Sequence, residues 1–306
     1  MAMVLAVGTC SLIALLSTLP GWGYLLFPEL GPLAVVVFAR PMGAWAGQGW
    51  RLVAVPTAAA VIGLWISIHI PQHGLALLLA VATTQLVLSL LRSPLAPALS
   101  AAALPVVLGL RSWAYPLQIG LGLVLLAALL AVVRRRRSAM PPGTESRSAA
   151  VCRRWLIPWF GYLLLMTVLV QASGWRVLLL PPLIVISHER FADPGRCPWL
   201  GRAWLLPLAC GLSGAIGVAS ASLPAAHAGL AVAISMLLNL GLMRALNLWL
   251  PPLLAMGLLP LLMPHADWRY VAGVLIAAIL LAFTDRHDSE PDRAGLISLG
   301  ADASRP

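Results

Sequence analysis

Apolar stretches follow one another along this chain with little between them, and that pattern constrains the fold more than any motif. Six lie at about 3 to 19, 24 to 39, 51 to 70, 74 to 92, 94 to 110 and 113 to 133. Six more lie at about 155 to 171, 176 to 191, 204 to 223, 228 to 246, 248 to 263 and 268 to 284. With 60% hydrophobic and 10% charged residues and a mean hydropathy of +0.92, this much apolar surface cannot hide in one globular core. An all-α integral membrane protein of about 10–12 transmembrane segments is expected, with the lipid bilayer as its first partner. The first run, 3 to 19, lacks a basic flank and is echoed at 155 to 171, so it reads as a mature helix rather than a signal peptide.

The second set of segments repeats the first. Gly21-Trp22 aligns with Gly174-Trp175, Pro28 with Pro181, and Phe38-Ala-Arg-Pro41 with Phe191-Ala-Asp-Pro194, all at an offset of 153. Trp50 then meets Trp204, and Ile62-Gly63 meets Ile216-Gly217, at 154; Pro97 meets Pro252, Pro105 meets Pro260 and Trp113 meets Trp268 at 155. Landmarks in one order with two single-residue slips point to tandem duplication. The organisation that follows is a first membrane repeat at 1–133, an Arg-rich linker at 134–154, a second repeat at 155–284 and a tail at 285–306. The tail is polar and without periodicity, and is expected to be disordered.

All 20 basic residues are Arg, and seven of them fall in the linker. Arg40, Arg51, Arg92, Arg190, Arg196, Arg202 and Arg244 mark further connections on the same side, which the positive-inside rule makes cytoplasmic; Arg111 and Arg269 dissent. An even number of crossings per half then makes the repeats parallel, with both termini inside. Arg-only basic usage fits a GC-rich bacterial genome, and a cell inner membrane is expected. The +10 net charge comes without interleaved aromatics, so no nucleic acid is implied. Cys10, Cys152, Cys197 and Cys210 show no CxxC spacing. His69 and His73 straddle Pro71 without a third ligand. No metal site, disulfide framework or cofactor is expected.

The second and fifth segments of each half are short and proline-led. Pro28-Glu29-Leu30-Gly31-Pro32 leaves about 12 residues to Ala39, roughly 18 Å of helix against a core of about 30 Å. Pro181-Pro182, Ser93-Pro94-Leu95-Ala96-Pro97 and Leu250-Pro251-Pro252 lead the other three. One reading is half-helices whose N-termini, rich in free N–H groups, meet near the midplane and suit a small anion. The other is complete helices kinked by proline.

This order of segments, with F-A-x-P closing the second and a proline-led fifth, resembles the HPP family of membrane proteins. That family is named for a His-Pro-Pro motif heading the fifth segment. LPPLLAMGLLPLLMP from 250 to 264 is similar to that region, with Leu250 where the histidine would stand, and SPLAPALSAAALP from 93 to 105 is a more degraded copy. The resemblance covers most of each half. Some plastid members are implicated in nitrite transport, so the resemblance implies two HPP-like units carrying a small anion.

Candidate solute-site residues are Pro28, Glu29, Pro97, Pro181 and Pro252 at the short segments, with Gln85 and Asn239 matched in the fourth segments. An intramembrane carboxylate is a functional candidate for proton coupling or gating; a structural cap or a shallow position is the plainer reading of Glu29. The two amides either bond between helices or line a solute path, and Asn247 is a further candidate lining residue. His188-Glu189-Arg190 with Asp193 reads as a solvated ion cluster. Gly211-Leu212-Ser213-Gly214 matches the G-x-S-G of intramembrane serine hydrolases, though His227 and His265 are poorly placed as bases. The expectation is therefore a small-solute transporter or channel and not an enzyme. A non-transporting scaffold or a Ser213 hydrolase are the alternatives, and a homo-oligomer is left open.

Overall fold

The computed structural model describes residues 1–136, 153–263 and 265–284. Most of the 134–154 linker and the 285–306 tail therefore lie outside the described residues. The chain is an all-α, multi-spanning membrane protein. Its α-helices among the described residues are α1 Ala2–Ser17, α2 Leu30–Ala39, α3 Arg51–His69, α4 His73–Leu90, α5 Pro97–Leu108, α6 Ala114–Arg136, α7 Leu156–Ser173, α8 Pro181–Ala192, α9 Leu205–Ala221, α10 Ala228–Ala245, α11 Pro252–Leu258 and α12 Trp268–Phe283. Five of them, α3, α4, α6, α7 and α10, are long and apolar enough to cross a membrane.

Helices dominate because lipid offers no partner to backbone N–H and C=O groups, so each segment bonds within itself. The short segments are shorter than the apolar runs that contain them. Residues 18 to 29 form turns, so the second run is helical only from Leu30, and α2 is about 15 Å long at 1.5 Å per residue. α11 has 7 residues and continues into a 3-10 turn over Leu259–Leu262.

Burial separates two layers. α2, α5, α8 and α11 are enclosed almost completely, whereas the eight longer helices each keep a face of large apolar side chains outward, such as Leu117, Leu121 and Val124 on α6. Exposed Trp22, Trp50, Trp113, Trp175, Trp204 and Trp268 sit at or beside helix ends, the place where indole rings favour a membrane interface. Within the bundle α3 packs on α5 and α6, and α9 on α11 and α12. α1 packs on α10 and α4 on α7, so the first helix after each terminus or linker leans on the opposite half. The enclosed helices also cross over: α2 touches α11, and α5 touches α8.

Hydrogen bonds define the two ends of the bundle. Arg51 Nη1 donates to the Leu91 carbonyl at 3.1 Å, and Arg134 donates to the Pro41 and Ala46 carbonyls at 2.8 and 2.6 Å. These bonds gather 41–51, 91 and the end of α6 at one Arg-rich end. At the opposite end Gln118 Nε2 donates to the Gly21 carbonyl at 2.6 Å.

Glycine permits the closest approaches. A Cβ on Gly63 would strike the Ala102 backbone, and one on Gly217 would lie 2.7 Å from the Gly257 carbonyl oxygen and 2.9 Å from Pro260. Backbone cannot yield as a side-chain tip does, so Gly63→Ala or Gly217→Ala is expected to cost about 1–3 kcal/mol of stability. Thermal melting in detergent should place both below the parent protein, whereas Gly161→Ala, which meets open space, should melt with it.

Candidate functional site

Each enclosed helix has its own lead-in. The approach to α2 is pinned by Gln118, whose Oε1 accepts from the Tyr24 N–H at 2.8 Å while its amide holds Gly21, a residue at φ +83°. Leu25, Leu26 and Phe27 are then buried, Pro28 follows, and Glu29 stands at the N-cap of α2. α5 is reached from α4 through Arg92, which adopts a left-handed φ of 48°, and the Ser93 N–H closes onto the Leu88 carbonyl at 2.9 Å. α11 is reached from α10 in the same manner, with Asn247 at φ 49° and Leu248 N–H on the Met243 carbonyl at 2.9 Å. Both are six-to-one closures that stop a helix sharply. Asn247 is exposed, so its place is that of a terminator rather than a lining residue. Pro97, Pro181 and Pro252 then start α5, α8 and α11 at positions where a missing N–H costs nothing. All three are buried, as is Pro28.

Glu29 is the outlying feature. It is 0% exposed, its side chain caps nothing, and neither carboxylate oxygen has a hydrogen-bond partner. The structural-cap reading therefore gives way. The Ser100 hydroxyl, in the second turn of α5, faces it and is likewise left without a hydrogen bond of good geometry, and Glu189 of α8 is close enough for its charge to act on it. A buried, unpaired carboxylate is costly, which singles this position out.

A cleft of ≈ 160 Å³ lies near the Arg-rich end, walled by Trp45, Pro94, Ala96, His188, Glu189 and Trp199; Glu29 and Ser100 are not in its wall, and Glu189 is the wall residue whose charge reaches Glu29. Its wall corrects the solvated-cluster reading. Arg190 is 1% exposed, and the half-buried His188 ring meets Trp155 and Trp159 edge-on, with centroids 5.1 Å away in each case. Trp159 is held in turn by its indole N–H on Ser187 Oγ at 3.0 Å. A helix end with Glu and Arg in it reads as surface until the indoles that cover it, 30 or so residues earlier, are brought alongside.

The matched amides lie apart from one another in role. Asn239 is 0% exposed and donates back to its own helix, at the Ser235 carbonyl, at 2.8 Å; its Oδ1 and Gln85 Oε1 are buried without partners. Ser213 is 0% exposed and donates to the Leu253 carbonyl at 2.7 Å. Ser235 Oγ and Tyr270 Oη donate to the Gly257 and Met256 carbonyls, each at 2.7 Å, so three hydroxyls from three helices brace the short α11. On the α5 side Tyr115 Oη donates to the Ala101 carbonyl, also at 2.7 Å.

Ser100 was not singled out by sequence reasoning. A signal was present: it is the one hydroxyl in an otherwise aliphatic helix, and residue 255 at the aligned position is Ala. Among the described residues no three His, Cys, Asp or Glu side chains converge as metal ligands.

Ser213→Ala removes one brace and is expected to lower stability by roughly 1 kcal/mol, read as a small fall in the melting temperature with the fold retained. A nucleophilic Ser213 would instead make the variant lose all cleavage of a membrane substrate at unchanged melting temperature.

No protein-family model, curated protein or solved structure matches the chain, so the likeness to the HPP family rests on the sequence motifs alone.

Proposed function

We propose that the chain is a small-solute transporter or channel of a cell inner membrane, built from two parallel repeats with both termini cytoplasmic, and that a small inorganic anion such as nitrite is its solute class. The observation that carries the reading is the enclosure of four short, proline-led helices inside longer apolar ones. Interrupted backbone at membrane depth is tolerated where protein buries it or a polar path runs, and transporters use such interrupted helices to build their sites. The positive dipole ends of α2, α5 and α8 favour a small anion beside them, while their first-turn N–H groups bond to preceding carbonyls, as Leu30 to Phe27, Gly31 to Pro28, Ala98 to Leu95 and Leu183 to Leu180.

Paired details support the two-repeat architecture. Tyr115 to Ala101 and Tyr270 to Met256 are one hydrogen bond written twice at an offset of 155. The left-handed Arg92 and Asn247, with their closures onto Leu88 and Met243, keep the same offset. Gly63 lies against Ala102 as Gly217 lies against Gly257. The exchanged contacts of α1 with α10 and of α4 with α7 are what a two-fold axis between halves produces. A solute site at the interface of the repeats follows from that arrangement. The Arg-rich end is assigned to the cytoplasm by the positive-inside rule.

Proteoliposomes loaded with nitrite, nitrate or formate should release at least one of them faster than empty vesicles. No difference for any of the three, with the protein correctly inserted, removes the transport reading. Reporter fusions at Gln72 and Gly143 should report opposite sides of the membrane; the same side for both breaks the twelve-crossing topology.

A further inference from the structure

The two halves differ at two positions where the proposed site would be. Glu29 aligns with Pro182 at an offset of 153, and Ser100 aligns with Ala255 at 155. The carboxyl and the hydroxyl that face one another are thus present together in one half and absent together in the other. Both are buried polar groups without a hydrogen-bond partner, and two such costly groups facing one another point to a shared task.

Ala96 forms part of the cleft wall, and Ser100 stands four residues further along α5 on the same face, about 6 Å deeper at 1.5 Å per residue. Glu189, on the opposing wall of the cleft, acts electrostatically on Glu29. Toward the opposite end the chain preceding Glu29 is the buried apolar run Leu25-Leu26-Phe27. About one turn of α5 separates the cleft wall at Ala96 from Ser100, which faces Glu29, and the buried apolar run lies on the other side of Glu29.

The surroundings of α2 supply no fixed counter-charge in contact with Glu29. From α1 the facing group is the Cys10 thiol, which donates to the Leu30 carbonyl at 3.8 Å. From α6 Tyr115 bonds to Ala101, and Arg134 bonds to Pro41 and Ala46 at the far end of α2. α11 carries no titratable side chain, α5 contributes Ser100, and α8 contributes Glu189 with His188 and Arg190 beside it.

We propose that Glu29, oriented by Ser100, is the single proton-binding group of a proton–anion symport cycle, loaded from the cleft past His188 and Glu189. This rests on the transport reading above. A hydronium ion in the cleft gives its proton to one Glu29 oxygen and becomes water; on release that O–H bond breaks, water takes the proton and the carboxylate is restored, with no change of oxidation state. An anion comes near Glu29 only while the proton is on, because an ionised carboxylate repels it. Proton and anion therefore move together, and one carboxyl gives one proton per anion.

The test is accumulation of nitrate and of nitrite in proteoliposomes, over empty vesicles, with the lumen more alkaline than the bath by about one pH unit and no membrane potential. One proton per anion gives about tenfold accumulation, two protons give about a hundredfold, and an uncoupled pore gives none. Glu29→Gln should lose both accumulation and proton uptake. If that variant does not fold, Ser100→Ala should move the pH profile of accumulation. Accumulation unaffected by Glu29→Gln, or a pH profile unmoved in Ser100→Ala, overturns the assignment, as does a hundredfold ratio. The proton site is also read without any solute: an infrared carboxyl band should titrate, shift in heavy water and be absent from Glu29→Gln. Its persistence in the variant overturns the inference even where anion flux is found, and its presence with no flux for any solute refutes the symport cycle while leaving the proton site standing.

Discussion

In lipid, a backbone amide or carbonyl without a partner has nowhere to turn, and this one constraint orders the whole molecule. A continuous helix meets it alone. A helix that starts or stops at membrane depth does not, because its first N–H groups and last carbonyls fall outside the ladder. The four short helices here are all in the enclosed layer, with the longer helices around them. The arrangement follows from relative cost: an exposed apolar side chain in lipid costs nothing, while an exposed helix end there costs several kcal/mol.

The same constraint explains where the polar side chains are used. α11 is the shortest helix and passes into a 3-10 turn, whose hydrogen bonds are poorer. Its carbonyls at Leu253, Met256 and Gly257 receive hydroxyls from Ser213, Tyr270 and Ser235. α5 is longer and needs fewer: Tyr115 reaches Ala101, and Ser67 reaches the carbonyls of Pro105 and Leu110 at 3.2 Å each. Tyrosine suits both places, since its ring packs among aliphatic neighbours while its hydroxyl reaches one carbonyl.

The helices and their order were legible in the sequence because hydropathy and proline report directly on local backbone behaviour. Pro97, Pro181 and Pro252 mark helix starts wherever they occur, and they do so here. The start of α2 was legible to within two residues, since Pro28 marked it and the helix begins at Leu30, whereas the Gln118 bonds to Gly21 and Tyr24 that fix its lead-in come from some 95 residues away in sequence. The site was legible in part. Glu29 stood out by charge alone, but its isolation is a property of what surrounds it. Ser100 became meaningful only beside Glu29, and the His188 to Asp193 cluster looked like surface because Trp155 and Trp159, which cover His188, come from another helix.

Under the proposed duplication there is reason to keep a buried acid in one half only. Under the proposed two-fold relation, a second carboxylate at position 182 would face the same central space as Glu29. Two like charges across a low-dielectric interior repel strongly, and each would need its own proton or counter-ion. Pro182 removes that conflict and at the same time starts α8 cleanly, with no N–H left over. The second half spends its polarity elsewhere, on Ser235 and Asn239 packed against Gly257, where a Cβ would collide with the Asn239 amide. One copy is thereby free to hold a chemical group that is costly to bury, while the other supplies a rigid, braced partner against which α2 packs through Gly31 and Leu254. Under the proposed proton site, divergence between the halves becomes a division between a part that changes charge and a part that keeps its shape.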